Sequence, residues 1–424
     1  MRTRKALVGV WPALGALALA VFCAAPVLAG TEYVVTDLGP LVGPWSSANA
    51  VNDLGQVVGY GSVSGFEWSS SGGLINLNTP GIGSGAWSDP LAINDSGLIA
   101  GAILPAGGGA GGTYAAVWAN GPTNAPTDIA PVSPTAAAKG AYSWASAENA
   151  SGEVIGDYIS SSGNAYAFSW TSTGGLARLN TAGTASQGWV LQYATGINAH
   201  GAIVGIGTYN GKSESFLDTG GAITDLGPAA LLGWGAQAIN NSGLIVGGVG
   251  QGANNSNLVQ GAIWTTPNTN PTIVPPLSGG DPNPSIGSAG GTDGVTVDNT
   301  DGLVAVNSQG TIIGDSGWQY VPYQSDEPWG GRPTIIPVGG QMTDLNTLLV
   351  PADIALGDTV WGVSGISDTG LIAGYAYTPL AAPGTWEDAV LLTPTPEPIS
   401  MIFFATGLVA VGGFVARRKM LRTA

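Results

Sequence analysis

The sequence predicts an all-β, seven-bladed β-propeller. Three observations predict it. A ten-residue phrase, AINDSGLIAG at 92–101, returns in six other places. One position of that phrase carries only Ala or Gly, and the repeat array ends one strand short while beginning with a strand that no unit claims.

Composition sets the frame. Of 424 residues 69 are Gly and only 9% are charged, while 44% are hydrophobic. Such a chain is turn-rich and has enough apolar surface to fold. At the N-terminus Arg2, Arg4 and Lys5 precede an apolar run that closes on Val27, Leu28 and Ala29, the order of a secretory signal peptide over 1–29. Export of the remainder is the expectation. The only cysteine, Cys23, falls inside that signal, so the exported body contains no disulfide. Phe22 is bulky where a lipid-modified cysteine would follow a small residue.

The repeated phrase aligns on a central glycine at Gly55, Gly97, Gly152, Gly201, Gly243, Gly310 and Gly370. Three residues earlier stands Asn (Asn52, Asn94, Asn149, Asn198, Asn240, Asn307) or, in the seventh copy, Ser367; four residues later stands another Gly, from Gly59 to Gly374. Between the glycines run β-branched pairs such as Val57-Val58 and Ile312-Ile313, suited to a buried strand. Asn-x-x-Gly reads as a tight turn in which Asn bonds its own backbone and Gly takes positive φ. Each phrase is therefore a β-hairpin. Five residues before the central glycine come Ala50, Ala92, Ala147, Gly196, Ala238, Ala305 and Gly365, small as innermost strands crowded round an axis require.

Two more strands follow each hairpin. One is read from GFEW (65–68), AAVW (115–118), AFSW (167–170), SFL (215–217), AIW (262–264) and AVLL (389–392), with a degenerate WQYVPY near 318 in the sixth unit. The other is read from LINLN, PTDIA, LARLN, ITDLG, TIVPPL and MTDLN. The last unit lacks this fourth strand, and YVVTDLG at 33–39 is left over to supply it. Closing the ring this way removes the open sheet edges. The propeller spans 30–393, about 52 residues per unit, longer than the coils of a β-solenoid. The phrase and its following A-x-x-W strand resemble the extracellular HAF repeat family, a resemblance that implies little about chemistry.

The C-terminal segment 394–424 reads as an address. Ile399 to Ala416 are eighteen uncharged residues, about 27 Å of helix, enough for one transmembrane span at 399–416. Arg417, Arg418 and Lys419 hold its end on the cytoplasmic side. With Pro396, Glu397 and Pro398 just ahead of the span, the tail resembles the PEP-CTERM sorting signal of Gram-negative bacteria. The resemblance implies inner-membrane anchoring and then recognition by an exosortase-type membrane transpeptidase. Cleavage near the triplet would release or transfer the body to the outer envelope or extracellular matrix. Members of that class are commonly associated with exopolysaccharide and biofilm.

Between leader and tail the basic residues are Lys139, Arg178, Lys212 and Arg332, against 26 acidic side chains, a formal charge of −22. That surface repels phosphate backbones and excludes nucleic acid as a partner. His200, the only histidine, occupies a freely varying turn slot, which excludes His-based triads and metal sites. Asp53, Asp95 and Asp368 recur in the turn, where they are read as local caps. Asp293, Asp298 and Asp301 lie close in a Gly-rich insertion but lack the ligand pattern of an EF-hand, so no metal and no cofactor are expected. The remaining periodic feature is aromatic. Trp45, Trp87, Trp144, Trp189, Trp234 and Trp361 each precede a central glycine by eight to twelve residues. Packing between blades explains them, and so does a ring of indole faces presented to a sugar polymer. The favoured reading is an exported, non-catalytic binding or structural module of the envelope. Its rival is a carboxylate-dependent glycan hydrolase or lyase built on two facing acids.

Overall fold

The computed structural model describes residues 31–39, 45–77, 86–105, 112–119, 121–130, 141–229, 235–250, 259–265, 270–275, 277, 302–319, 330–379 and 387–395. The leader expected at 1–29, Trp234, Asp293, Asp298 and Asp301 lie outside these residues. So do Pro396, Glu397, Pro398, the span at 399–416, Arg417, Arg418 and Lys419. Among the described residues no helix is long and apolar enough to cross a membrane.

The chain forms seven four-stranded antiparallel sheets, each following chain order from its first strand outward. They occupy 46–76, 87–130, 142–178, 189–228, 236–273 and 302–344 for blades 1 to 6; blade 7 takes 359–394 and closes with Tyr33–Asp37. That N-terminal strand runs antiparallel to Asp388–Pro394, with Tyr33 opposite Pro394 and Asp37 opposite Val390. The first strand of every blade touches the first strand of the next, blade 7 to blade 1 included. The ring is closed, and the molecule is a seven-bladed β-propeller.

Steric facts explain the periodic residues. All seven central glycines have positive φ, from 74° at Gly55 to 89° at Gly310, where an L side chain is strained. Every first strand carries a β-bulge in the same place, skipping Asn49, Leu91, Ser146, Thr195, Gln237, Val304 and Ser364. The bulge pushes the first strand's backbone against the second strand. A Cβ on Gly59, Gly101, Gly156, Gly205, Gly247, Gly314 or Gly374 would collide with a carbonyl oxygen of that neighbour. The Ala/Gly position faces the next blade instead. A Cβ on Gly196 would lie 2.9 Å from the Ala238 Cα, and one on Gly365 would lie 3.1 Å from the Ala50 Cα.

The apolar core is divided into seven seams, one between each pair of neighbouring blades. Phe66 and Ala48 of blade 1 pack on Ala389 and Leu391 of blade 7; Phe168 of blade 3 packs on Ala115 and Val117 of blade 2. Buried serines tie the seams, Ser46 Oγ accepting the Ala389 N–H at 2.9 Å and Ser88 Oγ the Gly65 N–H at 3.1 Å. Two features differ from the sequence reading. The third strand of blade 6 is Gly330–Ile336, and Trp318 and Gln319 extend the second strand, Ile312–Gln319. Short helices also precede two first strands, α1 (Ala182–Ser186) with a Thr181 capping box and α2 (Pro351–Leu356) ending on left-handed Gly357.

Candidate functional site

Because all seven first strands run the same way along the axis, their ends gather at one mouth of the ring and their starts at the other. The asparagine turns form the first mouth and the tryptophans the second.

At the asparagine mouth, each Asn Oδ1 accepts backbone N–H groups of its own turn, as Asn52 does from Leu54 (3.1 Å) and Gln56 (2.9 Å). The amide then reaches sideways. Nδ2 of Asn52 donates to the Asn94 carbonyl at 3.0 Å, and the pattern continues from Asn94 to Asn149, Asn149 to Asn198 and Asn198 to Asn240. It ends with Asn240 to Asn307 and Asn307 to Ser367, so six amide bonds encircle the axis. Ser367 has no amide, and the seventh step, to Asn52, is missing. The turn aspartates also work sideways rather than as the local caps read from the sequence. Asp95 Oδ1 accepts the Asp53 N–H at 2.9 Å, Asp53 Oδ1 the Thr369 N–H at 3.0 Å and Asp368 Oδ1 the Ser308 N–H at 2.6 Å. They sit over a cavity of about 230 Å³ that Glu148 also lines. Burial pushes the Glu148 carboxyl up to about 9, against the Asn94 amide that favours its ionised form. His200 is an exposed turn residue whose N–H is held by Asn198.

At the opposite mouth the tryptophans are not equivalent. Trp189 and Trp361 are buried, stacked on Tyr209 (4.8 Å between centroids, 21°) and Tyr377 (6.0 Å, 11°) of their own blades. Trp45, Trp87 and Trp144 are half-buried. Trp45 and Trp87 flank Tyr60 at 5.6 and 5.7 Å, each nearly perpendicular to its ring. The strands of Trp189 and Trp361 each carry a second register shift, between Leu191 and Tyr193 and between Val360 and Gly362, and that turns these two indoles away from the direction of the others.

Around Tyr60 gather residues that spacing did not single out. Burial, then the carboxylates of Asp89 and Glu387, raise the Tyr60 hydroxyl; burial, then Asp315, Glu387 and Tyr60, raise Tyr375. Tyr375 lies over Gly362, where a Cβ would strike its ring. Burial pushes Asp89 up to about 6, with the Asn49 amide pulling it partly back, and Glu387 up to about 7, with Asp388 adding to the effect. Asp315 rises to about 7 for the same reason, opposed by the Val363 backbone N–H. All of these side chains are half-buried. Asp157, on blade 3 at the register of Asp315, is raised to about 7 by burial beside exposed Tyr193.

One signal could have found Tyr60, Asp157, Asp315 and Tyr375, though not Asp89 or Glu387. The residue after the second glycine varies freely while its neighbours are fixed: Tyr60, Ala102, Asp157, Ile206, Gly248, Asp315 and Tyr375. Among the described residues no group of three His, Cys, Asp or Glu is placed to hold a metal ion. The arrangement can accept hydrogen bonds, stack on flat or hydroxylated faces and stabilise positive charge.

No protein-family model and no curated protein matches the sequence. Solved structures match at low identity. YCF48 from Cyanidioschyzon merolae is 12% identical with a TM-score of 0.39, covering 86% of this chain and 99% of its own. A protein of unknown function from Dyadobacter fermentans is 10% identical with a TM-score of 0.38, covering 85% and 99%. AofleA from Arthrobotrys oligospora is 9% identical with a TM-score of 0.32, covering 87% and 91%.

Proposed function

We propose that this chain is an exported, non-catalytic binding module of the cell envelope, and that its tryptophan mouth holds a polysaccharide. The observation that carries the reading is the half-buried group of Trp45, Tyr60 and Trp87 beside carboxyls at a mouth of the ring. Aromatic faces supply stacking area for sugar rings, and carboxyls accept hydroxyl hydrogen bonds. The turn residues at the other mouth are largely spent on holding blades together.

The leader over 1–29 and the tail over 394–424 support delivery to the envelope. In this reading an exosortase-type transpeptidase recognises Pro396, Glu397 and Pro398 with the basic end, and the released propeller resides in a polysaccharide-rich matrix. Fractionation of cells carrying the full chain or the chain lacking 394–424 tests sorting: the full chain moves to the outer envelope or medium, and the shortened one does not follow that route. Retention of the full chain on isolated envelope polysaccharide tests binding. Loss of retention in Tyr60→Ala, with the melting temperature kept, places the contact at this mouth.

A second reading rests on the same carboxyls. Asp89 and Glu387 both act on Tyr60, and a carboxyl held near neutrality suits a general acid for glycan cleavage. Release of new sugar ends from envelope polysaccharide, abolished in Glu387→Gln, would favour the hydrolase or lyase over the binding module.

A further inference from the structure

Resting on the polysaccharide reading, we infer that the tryptophan mouth selects a cationic, amino-bearing glycan over neutral and acidic ones, with Asp89, Glu387 and Asp315 receiving the ammonium groups and Trp45, Tyr60 and Trp87 the sugar faces.

Four observations converge on positive charge. First, three carboxyls from blades 2, 6 and 7 meet two tyrosines, and no ammonium or guanidinium lowers any of them. Among the described residues Arg178 is spent over the Tyr158 ring at 5.2 Å, and Arg332, on the strand beside Asp315, stands opposite Ser316. Burial raises the free energy of the ionised carboxylates without a counter-charge to offset it; an incoming ammonium supplies that charge.

Second, the two indoles stand nearly perpendicular to Tyr60, at 83° and 86°, so neither lies flat against it. The negative face of an aromatic ring attracts a cation, most strongly for indole. Third, Asp315 Oδ1 and Trp87 Nε1 are buried without a hydrogen-bond partner, so the fold leaves polar atoms of this group unpaired. Fourth, a body with formal charge −22 draws in polycations and holds off uronate polymers before contact.

The test is calorimetric titration of the full-length protein in detergent, near neutral pH and low salt, with three hexasaccharides: β-linked glucosamine, the same oligomer fully N-acetylated, and a uronate. Glucosamine hexamer binding at least tenfold tighter than its acetylated form, with no uronate binding, supports the inference. Asp89→Asn with Glu387→Gln, which changes charge but hardly shape, should erase that preference while leaving the melting temperature within a few degrees. Trp87→Phe, which keeps a ring but shrinks the stacking face, should weaken every bound sugar alike. Equal binding of acetylated and free-amine oligomers, or tighter binding of the uronate, overturns the inference and leaves the polysaccharide reading standing. Binding of none of the three overturns both.

Discussion

The two mouths of the ring are opposite ends of the same seven strands, yet one is nearly seven-fold repetitive and the other is not. At the asparagine mouth the same side chain makes the same sideways bond in six blades. At the tryptophan mouth one slot holds Tyr60, Asp157, Asp315 and Tyr375 on blades 1, 3, 6 and 7, while blades 2, 4 and 5 hold Ala102, Ile206 and Gly248 there. Repetition marks the places where ring geometry imposes one steric solution on every blade. Departure from it marks a surface on which the blades are free to differ, and a ligand needs such a surface.

The contrast breaks most readily at a periodic glycine. Gly156→Ala places a Cβ against the Trp144 carbonyl oxygen and 2.8 Å from the Phe168 ring tip. Backbone on one side and a fully buried ring on the other leave no room to give. We expect a loss of about 3 kcal/mol or failure to fold, read by chemical denaturation. Substituting Ala102, in the freely varying slot of the neighbouring blade, by Gly should cost far less.

Asn198→Ala comes next. It removes the bond to the Asn240 carbonyl and the acceptor for the His200 and Ala202 N–H groups. A loss of about 2 kcal/mol follows from leaving these groups unmet, measured in the same way. An equal loss for Asn198→Asp, which keeps the Oδ acceptor but not the amide donor, would assign the whole effect to the sideways bond.

Periodicity also decided what could be read from the chain. Gly59 and its six equivalents, the positive-φ glycines and the crowded Ala/Gly position were legible because each is a residue type fixed seven times by sterics. The closing strand at 33–37 was legible because an open edge must be covered. The sideways reach of Asn52 was not, since its partner lies in the next copy, 42 residues away. The bulge was not, because Asn49, Leu91, Ser146, Thr195, Gln237, Val304 and Ser364 share no side-chain chemistry: the backbone makes the bulge. Tyr60, Asp89 and Glu387 were missed because they break the period, and Trp189 looked like Trp87 because a spacing count cannot see the second register shift, between Leu191 and Tyr193, in its strand.

A smaller effect separates the mouths by pH. Asp89, Asp157, Asp315 and Glu387 all have folded-state values above those of an unfolded carboxyl, 3.8 for Asp and 4.5 for Glu. Between that range and about 7 the folded chain therefore keeps protons that the unfolded chain releases, and stability falls as pH rises. The stabilisation is complete below about pH 4 and spent above about pH 7. Melting temperatures followed across that range should decline, and Asp89→Asn with Asp315→Asn should flatten the slope. A slope unchanged in that double variant would place its origin at Asp157 and Glu387, or at Glu148 in the other mouth.

The smallest expected effect is a gain. Ser367 is the one turn residue of the seven without an amide, and the Asn52 carbonyl is the one that no sideways amide can reach; Asp53, accepting the Thr369 N–H, is the substitute link. Ser367→Asn should keep the turn, because in the other six copies Asn Oδ1 holds the same backbone that Ser367 Oγ holds through Thr369 and Leu371 at 3.2 Å. Its new amide would complete the circle across the junction where the chain's two ends share a blade. One net hydrogen bond contributes about 0.5 to 1 kcal/mol, enough to raise the midpoint of denaturation without altering its slope. In a variant that already carries Asp53→Ala the gain should be larger, since the junction then has no other sideways tie at this mouth. Stabilisation of the same size in both backgrounds would mean that Asp53 and the missing amide act independently, and the seam between blades 7 and 1 would then have to be held chiefly by its apolar core.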